Sequence, residues 1–112
     1  MNLADKKCIP CEGGMKPLSE EAAQTLAKEV PEWKLSGDNK SISREYIFND
    51  FKEAMGFVNE VADSAEFEGH HPDIAISWNK VLLTFSTHSI GGLSENDFIV
   101  AAKINLISIN SQ

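Results

Sequence analysis

The spacing of apolar residues changes period twice between Trp33 and Phe85, and few small folds accommodate that change. Trp33-Lys34-Leu35 and Ser41 through Phe48 alternate with the period of two expected of strands. They flank Gly37-Asp38-Asn39, whose residues favour a turn, so a hairpin is predicted. Over 50–68, Phe51, Met55, Val58, Ala62 and Ala65 recur at helical spacing, and Asp50 with Glu53 has the separation of a capping box. Gly69 ends that helix. Ile74, Ile76 and Trp78 then alternate before Asn79-Lys80, a candidate tight turn into Val81, Leu83 and Phe85.

Helical signals flank these stretches. Ser19 can cap a helix over 19–30, with Glu20 and Glu21 favourably placed in its first turn and Ala22, Leu26 and Val30 on one stripe that Pro31 ends. Beyond Gly91-Gly92, Ser94 can cap a last helix in which Phe98, Ala101, Ala102, Asn105, Leu106 and Ile109 fall near one side, with Asp97 completing a capping box. The order α-β-β-α-β-β-α predicts an α+β fold, a four-stranded antiparallel sheet with three helices packed on one face. The other face would carry Ser43, Glu45, Ser77, Leu82, Thr84 and Ser86, while Trp78, by its alternation, reads as core. Residues 1–17 hold Pro10, Gly13, Gly14 and Pro17 without sustained periodicity, so they read as an irregular arm before a single domain over 18–112.

Size and charge narrow the functions. At 112 residues the chain has room for one modest core, and a net charge of −7 disfavours direct contact with nucleic acid or an anionic membrane. No apolar stretch approaches the roughly 20 residues that cross a bilayer, and the polar start lacks a signal peptide's apolar region, so a cytoplasmic location is expected. The last helix is apolar on more than one face through Phe98, Ile99, Val100, Ile104, Leu106, Ile107 and Ile109, which predicts a partner such as a second copy. Cys8 and Cys11 form a single C-x-x-C, a weak zinc signal that reads as inert.

The histidines are the main functional clue. His70 and His71 follow the second helix and His88 follows the last strand, and antiparallel pairing across Asn79-Lys80 brings all three to one end of the sheet, at a polar rim. Imidazole titrates near pH 6.5, so a cluster can supply an acid and a base together. Glu66, four residues before His70, could orient an imidazole from the same helix face. A lone histidine at a helix end is more often satisfied by terminal carbonyls, whereas three converging on one rim favour a site. Metal binding by His70, His71, His88 and Glu66 is the rival, although adjacent histidines rarely chelate one ion and no H-E-x-x-H is present.

The run Glu66, His70-His71-Pro72, Trp78, His88 and Asp97, with Trp78-Asn79-Lys80-Val81, Ser86-Thr87-His88 and Gly92-Leu93-Ser94-Glu95 around it, resembles the signature of pterin-4a-carbinolamine dehydratases. The resemblance spans roughly residues 18–110 and implies the same α-β-β-α-β-β-α fold. It implies dehydration of 4a-hydroxytetrahydropterin, the product of aromatic amino acid hydroxylases, to quinonoid dihydropterin in tetrahydrobiopterin recycling, with no metal or organic cofactor. His70, His71 and His88 would then be catalytic. Glu66, Gly69, Pro72, Trp78, Ser86, Thr87 and Ser89 would join them in binding substrate, with Asp97 in support. Ile74 stands where family members often carry tryptophan, a departure that bears on the pocket wall. A homodimer or homotetramer is expected. A non-catalytic dimerisation module on the same fold and a small metal-binding protein are the alternatives.

Overall fold

Residues 3–8 and 16–107 are described by the computed structural model. The elements are α1 (Glu20–Ala27), β1 (Lys34–Leu35), β2 (Ile42–Ile47), α2 (Phe51–Glu68), β3 (Asp73–Ser77), β4 (Lys80–Phe85) and α3 (Glu95–Asn105), in the predicted order. The two hairpins fuse into one antiparallel sheet, β1-β2-β4-β3, because β2 also pairs with β4, from Ile42 opposite Phe85 to Ile47 opposite Lys80. Alternation turns Ile42, Tyr46, Val81, Leu83 and Phe85 inward, where all are buried. Leu82, on the opposite face, is exposed.

Packing adjusts several boundaries. α1 stops at Ala27, and Lys28, Glu29 and Val30 donate to the carbonyls three residues back, a tighter last turn that suits the restricted residue before Pro31. The buried stripe of α2 is Ala54, Phe57, Val58, Val61 and Ala65, so the predicted Phe51, Met55 and Ala62 lie off the core. The ring of Phe57 decides the rotation, with centroids 4.4 Å from Tyr46 and 5.2 Å from Phe48. The second hairpin turns at Trp78-Asn79, one residue earlier than expected, since Ser77 pairs with Lys80. Asn79 fixes it there: its side-chain amide donates to the Phe48 carbonyl and its own carbonyl accepts from the Phe48 N–H. Trp78 takes a positive φ of 51° at the tip and is 63% exposed, so it is not core.

A larger difference concerns α3. Phe98, Ile99, Val100, Ala101 and Ile104 are all buried within this one chain, because the N-terminal segment covers the side that the sheet and α2 leave open. A 3-10 turn at Leu3–Asp5 lays Leu3, 4% exposed, into the core cluster. Burying that side chain is worth about 2 kcal/mol. Most of the apolar circumference of α3 is therefore covered within the chain, Leu106 at its end remaining 73% exposed, and residues 3–8 pack against the domain. Ile109 and Cys11, both singled out above, lie outside the described residues.

Leu18 docks by donating its N–H to the Leu93 carbonyl at 2.8 Å, and this brings Pro17 against Gly92. A Cβ on Gly92 would lie 2.8 Å from Pro17 Cβ. Gly92→Ala is accordingly expected to lower stability by about 1–3 kcal/mol, the usual cost of overpacking, measurable by chemical denaturation. An unchanged midpoint would mean that Pro17 moves aside freely.

Candidate active site

The end of α2 sets the first two histidines. Gly69 adopts the left-handed conformation (φ 68°), and the His70 N–H donates to the Ala65 carbonyl at 3.1 Å, a Schellman closure. This turn swings the chain off the helical path. Glu66 therefore meets His71 Nε2 rather than His70, the partner predicted from four-residue spacing. Both members of the Glu66–His71 pair are mostly in solvent, His71 being 58% exposed, so the contact contributes little to stability.

His70 is held differently. Its ring is 13% exposed, lies nearly parallel to Phe85 at 5.8 Å, and places Nε2 2.6 Å from Oδ1 of the fully buried Asp97. The other carboxylate oxygen accepts from the Thr87 hydroxyl at 2.8 Å and from the Ser94 N–H at 2.9 Å. Thr87 spends its only proton on Asp97, so the Ser94 hydroxyl, 2.9 Å away, donates to Thr87. Asp97 thus caps α3, as its spacing from Ser94 predicts, and also reaches across to His70. An ionised carboxylate only accepts, which puts the proton of a neutral His70 on Nε2 and leaves Nδ1 as its acceptor.

The strand register completes the cluster. Asp73 lies opposite Thr84, so the entry to β3 flanks the exit of β4, and Thr87 is bridged to Gly92 around a 3-10 turn at His88–Ile90. A cleft of about 520 Å³ opens at this end, lined by Gly69, His70, His71, Ser86, Thr87, His88 and Ser89. That volume falls in the range of small-molecule sites. Of the other predicted residues, Glu66 and Asp97 reach the cleft through His71 and His70, Pro72 is outside its lining, and Trp78 sits at the far end of the hairpin. Among the described residues, no three His, Cys, Asp or Glu side chains converge as a metal-ligating group.

Two lining residues, Glu68 and Asn96, carry no signal in the sequence, and Cys8, which reads there as inert, is a third that the structure places in the lining. Glu68 has a side chain only 4% exposed, accepts from the Cys8 N–H at 3.2 Å and pairs with Lys103 at 3.3 Å. Burial pushes its carboxyl up, but the Cys8 and Lys103 contacts outweigh that and hold it below the usual glutamate value. The neighbouring Cys8 thiol is pushed up to about 12, by burial first and then by the Glu68 charge, so it stays protonated at neutral pH.

A four-stranded sheet backed by three helices, with imidazoles at one end and a buried carboxylate behind one of them, defines a small α+β protein with a histidine-lined cleft. The chain belongs to the pterin 4 alpha carbinolamine dehydratase family, whose model matches residues 16–107. A protein of Alkaliphilus metalliredigens is 49% identical over 105 residues, covering 93% of this chain and 94% of its own. One of Nitrosomonas eutropha is 47% identical over 110 residues, covering 97% and 96%. Both are named, provisionally, as pterin-4-alpha-carbinolamine dehydratases. A crystal structure described as a transcriptional coactivator/pterin dehydratase from Brucella melitensis superposes with a TM-score of 0.74 at 32% identity, over 80% of this chain and 96% of that one. Among the described residues no helix is long and apolar enough to cross a membrane.

Proposed function

We propose that this protein dehydrates 4a-hydroxytetrahydropterin to quinonoid dihydropterin in the cytoplasm, serving tetrahydrobiopterin recycling beside an aromatic amino acid hydroxylase. The observation that carries the reading is the convergence of His70, His71 and His88 on one cleft, with Asp97 behind His70. The reaction breaks the C4a–O bond and forms the C4a=N5 bond. One group protonates the departing hydroxyl, which leaves as water, and another accepts the N5 proton. Through its free Nδ1, His70 is suited to accept or relay a proton, and Asp97 stabilises the imidazolium that results. His71, beside Glu66, and the exposed His88 are suited to the hydroxyl, with Ser86, Thr87 and Ser89 contributing polar contacts to the heterocycle.

Stopped-flow absorbance of freshly generated 4a-hydroxytetrahydropterin, with and without protein and after exhaustive chelation, tests this. Acceleration that survives chelation supports histidine acid–base chemistry. Activity lost on chelation points to a metal, and none with any pterin points to an interaction module on this fold.

Self-association belongs to the same reading. β3 is an edge strand exposed along its length, and Ile74 and Ile76, on the core-facing side, remain more than a third exposed. A homodimer or homotetramer is expected by light scattering at micromolar concentration, with Ile76→Lys shifting the mass toward the monomer. A wild-type monomer at that concentration removes this part of the proposal.

A further inference from the structure

Resting on that reading, we infer that the N-terminal segment is a wall of the pterin site, and that Glu68 is the positioning residue that docks it there. Residues 3–8 cross α3 and are tied at three points. Leu3 enters the core, Lys6 Nζ lies 2.8 Å from Glu95 Oε2, and the Cys8 N–H donates to Glu68. The tie at Glu68 differs in kind from the one at Lys6, whose two partners are 37% and 47% exposed. Glu68 is a buried carboxylate at the end of α2, two residues before His70, with one oxygen committed to the arm and the other to Lys103 of α3. It joins arm, α2 and α3 at one point on the cleft surface. A buried carboxylate deprived of either partner is costly, so the arm position and the charge of Glu68 sustain each other.

The consequence lies in what the arm delivers. Docking places Cys8 in the cleft lining beside Glu68, His70 and Asn96, with its Sγ 3.8 Å from the Asn96 carbonyl. A neutral thiol is a small, polarisable, nearly apolar surface, and sulfur packs favourably against aromatic rings. A wall of that kind next to the imidazole cluster suits a flat heterocycle such as a pterin. Glu68 acts through Cys8 and the arm, so its loss should weaken capture of substrate more than it slows the chemical step.

The test uses the full-length protein with Cys11→Ser, which leaves Cys8 as its only thiol. Glu68→Ala is expected to raise KM for 4a-hydroxytetrahydropterin about fivefold with kcat nearly unchanged, the effect of losing one hydrogen bond's worth of binding. Glu68→Gln keeps an acceptor for the Cys8 N–H and should restore most of the difference. Iodoacetamide should alkylate Cys8 slowly in the parent, about tenfold faster in Glu68→Ala, and more slowly when a stable 7,8-dihydropterin is added. Should Glu68→Ala fail to fold, Lys6→Ala releases the arm at an exposed position and should raise KM and alkylation together, by a smaller factor.

Faster alkylation with KM unchanged would overturn the inference, because the thiol would respond to the loss of Glu68 while the substrate stayed indifferent to it. A fall in kcat at constant KM would overturn it too, by giving Glu68 a part in the chemistry. Unchanged alkylation would mean that Glu68 does not hold the arm. If the parent protein fails to dehydrate at all, the functional reading falls. Protection of Cys8 by the dihydropterin would then still place the arm at a pterin-binding cleft, and its absence would dismiss the arm as a wall.

Discussion

Alanine at His88 is expected to slow dehydration by about 10²–10⁴-fold, the usual worth of a positioned acid or base, while leaving the melting temperature almost unchanged. His88 opens an exposed 3-10 turn, and no buried group relies on it among the contacts described. Alanine at His70 should cost comparable activity but cannot be silent in stability. Its ring is mostly buried against Phe85, and removing it leaves a carboxylate oxygen of Asp97 without its partner, a loss of roughly 1.5–3 kcal/mol for a bond to a charged group. Thermal melts and stopped-flow traces on the same two preparations separate the effects. Equal stability losses in the two variants would contradict the different roles assigned to these imidazoles. Full activity in His88→Ala would remove His88 from the chemistry.

That difference corrects an expectation of the sequence, which places both histidines at a polar rim. Periodicity and turn residues suffice for every helix and strand of the sheet domain, because each such signal is local: Gly69 stops α2, and Asp50 and Ser94 begin α2 and α3. Convergence of the histidines is also legible, since antiparallel pairing alone brings the ends of a hairpin together. What local signals cannot supply is which groups then touch. Asp97 lies 27 residues from His70, and its capping role is a sufficient local reason for its presence, so nothing in the spacing points to a second role. Glu66 fails as the partner of His70 because the left-handed residue at Gly69 cancels the helical register that the pairing assumed. Leu3 stands beside Ala4 in a short, mostly polar stretch. It has no periodicity to announce its burial, so the sequence offers no sign that part of the apolar surface of α3 is covered from within the chain. Trp78 shows the converse error, since alternation extended one residue past Ser77 runs into the turn.

The largest stability effect is expected at Asp97. Alanine there would leave the Thr87 hydroxyl, the Ser94 N–H and His70 Nε2 without their common acceptor in a buried setting, at about 3–5 kcal/mol, since each buried donor left unsatisfied costs roughly 1–3 kcal/mol. For a domain of this length that is a fall in melting temperature on the order of 10–20 °C, readable by calorimetry. Such a variant could lose activity merely by loosening, so the sharper substitution is Asp97→Asn. The amide keeps one oxygen that can accept from Thr87 and Ser94, and it presents an NH₂ to His70. That donor forces a neutral His70 to accept at Nε2 and to carry its proton on Nδ1, reversing the tautomer while preserving volume. Asp97→Asn should therefore fold with a smaller penalty, about 1–2 kcal/mol, yet dehydrate far more slowly than wild type, because His70 Nδ1 then carries the proton and no longer offers its lone pair. Nitrogen-15 chemical shifts of the His70 ring report the tautomer directly. If the Asn variant retains Nε2 protonation and full activity, Asp97 serves only to cap α3, and the proton-accepting role given to His70 Nδ1 has to be abandoned.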